Sequence, residues 1–92
     1  MTTAAAEIQI NGSVQGVGYR YFCFQKATQL HLTGWVKNNP DRSVSLFVEG
    51  EKKEIENLLT ILEEGPPAAV VAVVTINWVS CSNRFKKFEI TY

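Results

Sequence analysis

The chain has 92 residues, with nine basic and nine acidic side chains and a formal net charge of zero, which offers neither a basic surface for nucleic acid nor a cationic patch for an anionic membrane. A chain of this length with 46% apolar residues can fill one core but not two. Its longest apolar run, Ala68 to Val74, falls far short of the roughly 20 residues that cross a bilayer.

Met1 to Ala6 is short, small and uncharged, without the basic and long apolar regions of a signal peptide. A frayed tail on a cytoplasmic protein is expected, followed by a single domain over residues 7–92. Ile8, Ile10, Gly12 and Val14 then alternate with Glu7, Gln9, Asn11 and Ser13, the pattern of a strand with one buried face. Gln15 to Gly18 interrupts it, and Tyr19, Cys23, Ala27 and Leu30 recur at helical spacing. Thr33 to Asn38 and Ser43 to Glu49 read as strands joined by the turn-forming Asn39, Pro40, Asp41 and Arg42.

Within Glu51 to Glu64, Ile55, Leu58, Leu59 and Leu62 mark an amphipathic helix that Gly65, Pro66 and Pro67 end. Val70 to Val79 is β-branched and aromatic, and its even-numbered set, Val70, Ala72, Val74, Ile76 and Trp78, is expected to face the core. Phe88, Ile90 and Tyr92 predict a short final strand at an edge. The order βαββαβ plus that strand predicts an α+β, ferredoxin-like sandwich: an antiparallel sheet with two helices on one face. Cys23 and Cys81 have no metal-like spacing, and both are expected to be reduced packing residues.

Two segments carry chemistry. Gly12-Ser13-Val14-Gln15-Gly16-Val17-Gly18-Tyr19-Arg20 joins a strand to a helix, so successive main-chain N–H groups can converge on an anion at the positive helix end. Arg20 can return its guanidinium to the same point and hold two phosphate oxygens in a fork, each charge-assisted bond contributing roughly 1.5–3 kcal/mol. The segment lacks the third glycine of a dinucleotide fingerprint, where Tyr21 stands, and the Gly-Lys-Ser/Thr ending of a nucleotide P-loop. The second segment, Gly34-Trp35-Val36-Lys37-Asn38, ends a strand just before the hairpin turn. There the Asn38 carboxamide can accept from a water and donate to a phosphoryl oxygen. His31, Trp35, Trp78, Phe22, Phe24 and Phe47 read as surface or packing residues, and Arg42 and Arg84 as surface charges.

Together the two segments resemble the signature motifs of the acylphosphatase family, Gly-x-Val-Gln-Gly-Val-x-Phe/Tyr-Arg and Gly-Trp/Tyr-x-x-Asn. The similarity extends through Val44, Leu46, Val48 and Gly50, the Glu63-Glu64-Gly65-Pro66 helix end and the terminal Phe88-x-Ile90-x-Tyr92. The resemblance implies that Arg20 binds phosphate, that Asn38 orients the attacking water and that the backbone of Gln15, Gly16, Val17, Gly18 and Tyr19 cradles the phosphoryl group. One departure is Arg42, which follows Asp41 where the family usually has glycine; a different hairpin turn is expected from it.

Acyl phosphates have a good leaving group, a carboxylate whose acid has a pKa near ~4, so hydrolysis needs no strong general acid. The motif region accordingly carries no histidine, no carboxylate pair and no nucleophile with a base beside it in the sequence. The expected activity is hydrolysis of an acyl phosphate to carboxylate and inorganic phosphate by direct water attack, with no metal or cofactor. A monomer with no nucleic-acid or membrane partner is expected. The alternative is a ferredoxin-like module that binds a phosphorylated ligand without turning it over. Its RNA-binding version is weakened by Val44 to Glu49, which lacks the basic and paired-aromatic pattern of an RNA-recognition sheet.

Overall fold

The computed structural model describes residues 2–91, so the expectation for Tyr92 as part of the final strand, like that for Met1 in the tail, lies outside the described residues. The elements follow one another as β1 (Thr3–Ser13), α1 (Tyr19–Gln29), β2 (Thr33–Asn38), β3 (Val44–Glu51), α2 (Lys52–Glu64), β4 (Val70–Val79) and β5 (Phe88–Ile90). They build one sheet in the order β4-β1-β3-β2-β5, with the inner strands β1 and β3 paired antiparallel.

Side-chain alternation decides which sheet face is covered. Ala6, Ile8 and Ile10 of β1 stand opposite Val48, Leu46 and Val44 of β3, and all six are buried together with Tyr19, Cys23 and Ala27 of α1 and Ile55, Leu58 and Leu62 of α2. Both helices therefore pack on the same face, as the ferredoxin-like order requires. Full burial of each Val, Leu or Ile side chain in this layer contributes about 1.5–3 kcal/mol. Helix α2 stops where Gly65 takes a positive φ of 69° and its N–H bonds to Ile61 O. None of the helices among the described residues is long and apolar enough to cross a membrane.

Three expectations change. Thr3 to Ala6 is not frayed: β1 begins at Thr3, Thr3 pairs with Glu51 and Ala4 with Gly50, and the Lys52 N–H bonds to Thr2 O at 2.8 Å. Ala5 and Ala6 are fully buried, because a methyl group is what fits between closely packed neighbours. Alanine's weak strand preference hid this from the sequence.

The second change concerns β4. Its pairing with β1 shifts between Asn11 and Gly12, so that Asn11 meets Val73 and Gly12 meets Val71. The bulge reverses the alternation beyond it. Val74 and Ile76 pack against the core as expected, but Val71 joins them, while Val70 is 66% exposed. Trp78 also stays largely outside the core, with the Lys52 ammonium 5.3 Å from its ring.

Third, the sheet is mixed, because β5 pairs parallel with β2, Gly34 opposite Phe88 and Val36 opposite Ile90. Strand β4 runs antiparallel to β1 and so ends at the end of the sheet where β2 begins. The chain crosses that end to the far edge and can only enter beside β2 in the same direction. Glu49 fastens the crossing. It is 2% exposed, and its Oε2 accepts from Ser82 N at 2.8 Å, Ser82 Oγ at 3.2 Å and Asn83 N at 3.2 Å. Burial pushes its carboxyl upward, but these donors outweigh burial and hold it below the usual range. Phe85 and Arg84 lie over Phe47 on the same face.

Both cysteines are free; Cys23 is buried and Cys81 half-buried. Burial pushes the Cys23 thiol up, so it stays protonated and packs as a small apolar group.

Candidate active site

The segment between β1 and α1 is shaped by two glycines. Gly16 and Gly18 have φ of 78° and 76°, a region that costs an L-residue roughly 1–2 kcal/mol, and they turn the main chain sharply into the helix. Gly18 caps α1 without a side-chain hydrogen bond, and the first helical bond runs from Phe22 N–H to Gly18 O at 3.0 Å. The helix start thus presents main-chain donors and the positive end of its dipole toward the bend.

Tyr19, the aromatic of the first motif, anchors the bend from beneath. Its ring is 1% exposed and its hydroxyl donates to Leu62 O at 2.9 Å, tying the first residue of α1 to the end of α2. Burial, with Cys23 nearby, pushes the phenol well above its ordinary value, so it serves as a neutral hydrogen-bond donor. Arg20, the next residue, donates Nη1–H to Thr91 O at 3.0 Å. Thr91 is itself fixed, its N–H bonding to Val36 O at 2.8 Å.

On the sheet side, Asn38 closes β2 and pairs with Val44. The motif glycine at the other end of the strand, Gly34, has φ 136° and would drive a Cβ to 1.8 Å from Phe47 O, so only glycine lets β2 lie this close to β3. The turn after Asn38 is held by side chains. Asn39 Nδ2 donates to Ser43 Oγ at 2.9 Å and Ser45 Oγ at 2.6 Å, and Asp41 Oδ1 accepts from Ser43 N at 3.0 Å and from Ser43 Oγ. These Ser43 donors, the hydroxyl first, hold the Asp41 carboxyl below its ordinary value. Arg42 nonetheless takes a left-handed φ of 74° within a closed turn, its N–H bonded to Asn39 O at 3.1 Å. The non-glycine residue is thus accommodated by strain.

Gln15 joins the two halves. Its Nε2 donates to Asn39 O at 2.9 Å and Ser43 O at 3.0 Å, so the bend before α1 is bolted to the hairpin that carries Asn38. Sequence reasoning used only the backbone of Gln15 and missed this role, along with those of Asn39, Ser43 and Thr91. The one available signal was a long polar side chain among the small and aliphatic residues of Gly12 to Gly18.

Between the halves lies a hollow of about 300 Å³ lined by Val14, Gly16, Gly18, Tyr19, Arg20, Tyr21, Asn38 and Ile90. It brings together Arg20, Asn38 and the bend glycines. Gln15 and Val17 are not in that lining; Gln15 faces the hairpin, and Val17 packs against the core. Among the described residues, Arg20 is the lining's one charged side chain. Asn38 Oδ1 is buried and, among the described residues, has no hydrogen-bond partner. Arg42 lines a separate hollow on the other side of the bend, with Gly12 and Gln15.

A larger groove of about 760 Å³ runs between α1 and β5 past Phe24, His31, Lys86 and Lys87. Its cationic side chains are exposed and no glycine bend opens onto it, so size alone does not make it the better anion site. No group of three or more His, Cys, Asp or Glu side chains among the described residues could hold a metal ion.

Comparisons with known proteins identify the family. The acylphosphatase family model matches residues 6–90. An acylphosphatase of Syntrophotalea carbinolica is 39% identical over 92 residues, covering 100% of both chains, and one of Acaryochloris marina is 46% identical over 81 residues, covering 88% of this chain and 86% of its own length. The crystal structure of acylphosphatase from Bacillus subtilis superposes with a TM-score of 0.93 at 30% identity, covering 97% of this chain and 99% of that one. A match spanning both motifs and every strand leaves one assignment: the chain belongs to the acylphosphatase family.

Proposed function

We propose that this protein is an acylphosphatase that hydrolyses the carboxyl-phosphate bond of small acyl phosphates, acting as a cytoplasmic monomer without a metal. The observation that carries the mechanism is the hollow that Asn38 shares with Arg20 and the bend glycines Gly16 and Gly18, together with the buried Asn38 Oδ1, which has no partner among the described residues. A buried acceptor without a donor costs about 1–3 kcal/mol, and a turn of the Asn38 carboxamide into the hollow lets a water there supply the missing donor.

The substrate phosphoryl group sits against the bend amides of Gln15 to Tyr19, with the Arg20 guanidinium on its equatorial oxygens. Arg20 is oriented for this by Thr91 O. Water held by Asn38 Oδ1 attacks phosphorus in line, a new P–O bond forms, the bond from phosphorus to the acyl oxygen breaks, and the carboxylate leaves with that electron pair. The water's proton passes to a phosphoryl oxygen, so no protein base is needed. Asn38 Nδ2 donates to an equatorial phosphoryl oxygen beside the water. Catalysis on this reading is positioning and charge neutralisation.

Incubation with acetyl or benzoyl phosphate in excess chelator tests it. Release of inorganic phosphate, inhibited by added phosphate, is the expected result. Binding of phosphate without turnover would favour the non-catalytic module, and a requirement for added magnesium would count against the mechanism.

A further inference from the structure

We infer that Tyr21 is the platform for the acyl half of the substrate, so that this chain favours aromatic over short aliphatic acyl phosphates; the inference rests on the hydrolase reading above. The polar part of the hollow, Gly16, Gly18, Arg20 and Asn38, is engaged by the phosphoryl group and the water. Among the remaining lining residues, Val14 and Tyr19 are each 1% exposed and form its floor. Ile90 belongs to the sheet side, opposite Val36 and close to Asn38. Tyr21 belongs to the helix side, directly after Arg20.

In-line displacement places the leaving group opposite the attacking water. With the water on the sheet side, the acyl group departs toward α1, where Tyr21 is 61% exposed. The ring is braced. Phe24 lies one helical turn on with its centroid 6.2 Å away, and Phe24 in turn lies 6.5 Å from Phe88, which is 4% exposed. A backed aromatic surface of this kind takes a flat apolar group by offset or edge contact. Among the described residues the lining holds no charge besides Arg20, and Arg42 stands on the far side of the bend.

The test is kcat/KM for benzoyl and acetyl phosphate in the unmodified protein and in Tyr21→Ala, Tyr21→Lys and Tyr21→Phe, with folding checked by thermal unfolding. The benzoyl-to-acetyl ratio is expected to fall about three- to tenfold in Tyr21→Ala and Tyr21→Lys, the size of an aromatic contact, and to stay near its original value in Tyr21→Phe. An unchanged ratio in the Ala and Lys variants, or an equal loss on both substrates, would overturn the role of Tyr21 while leaving acyl phosphate hydrolysis standing. Failure of the unmodified protein to hydrolyse either substrate would bring down both readings.

Discussion

The two walls of the hollow face the same problem, holding a left-handed residue in a tight turn, and solve it differently. On the helix wall the positive φ values fall on Gly16 and Gly18, so the shape is intrinsic to the backbone. On the hairpin wall the positive φ falls on Arg42, and the shape is imposed by Asn39, Asp41 and Ser43. The helix wall is thus set by its own backbone, whereas the hairpin wall that carries Asn38 depends on side chains; on the proposed mechanism the first binds the phosphoryl group and the second aims Asn38. Gln15 is the link through which one wall constrains the other.

If that division is right, the walls fail differently. Arg20→Ala removes two charge-assisted bonds of roughly 1.5–3 kcal/mol each, so kcat/KM should fall about a hundred- to ten-thousand-fold with weaker inhibition by phosphate. Asn38→Ala should instead lower kcat by about a hundred- to a thousand-fold with little change in KM. Steady-state kinetics with phosphate inhibition separates the two, and an identical pattern in both variants would erase the distinction.

Cutting the link is the next largest effect. Gln15→Ala should cost about 1–2 kcal/mol of stability from the two lost bonds and about tenfold in kcat as Asn38 loses its aim. Denaturant unfolding measured alongside turnover checks both.

Acid should loosen the hairpin wall, since Asp41 titrates there and the helix wall carries no carboxylate. The folded carboxyls of Asp41 and Glu49 lie below their ordinary values, so the unfolded chain binds protons first as pH falls. Their stabilisation is complete above the ordinary values near ~4 and is lost as pH drops through the folded values. Unfolding free energies from about pH 6 to about pH 3 should decline less steeply in Asp41→Asn than in the unmodified chain.

The smallest effect concerns the strain itself. Arg42→Gly should stabilise the fold by about 0.5–1 kcal/mol, the relief of left-handed strain less the added freedom of the unfolded chain. Thermal unfolding would show it, and a loss of stability would mean that the arginine side chain contributes more than its backbone costs.

Legibility in the sequence followed the same divide. The helix wall could be read from Gly16, Gly18 and Arg20 because glycine and arginine state their backbone and charge roles directly. The order of elements was readable too, from the alternation in β1 and β3 and the spacing of Ile55, Leu58 and Leu62. What stayed hidden depends on distant partners: the hydrogen bonds of Gln15 reach residues 24 and 28 positions away. The Thr91 carbonyl that orients Arg20 is 71 positions away. The bulge in β4 is equally a product of pairing with Gly12, and the strand's uniform β-branched composition carried no mark of it.

The central claim is that one phosphoryl group fits between a main-chain bend, a guanidinium and a carboxamide. Titration of the isotope-labelled protein with inorganic phosphate, followed by amide and side-chain NMR shifts, tests it most directly. The account expects saturable shifts at the amides of Gly16 to Arg20, the Arg20 guanidinium and the Asn38 carboxamide. Shifts confined to the groove around His31, Lys86 and Lys87, or none at the bend, would contradict it.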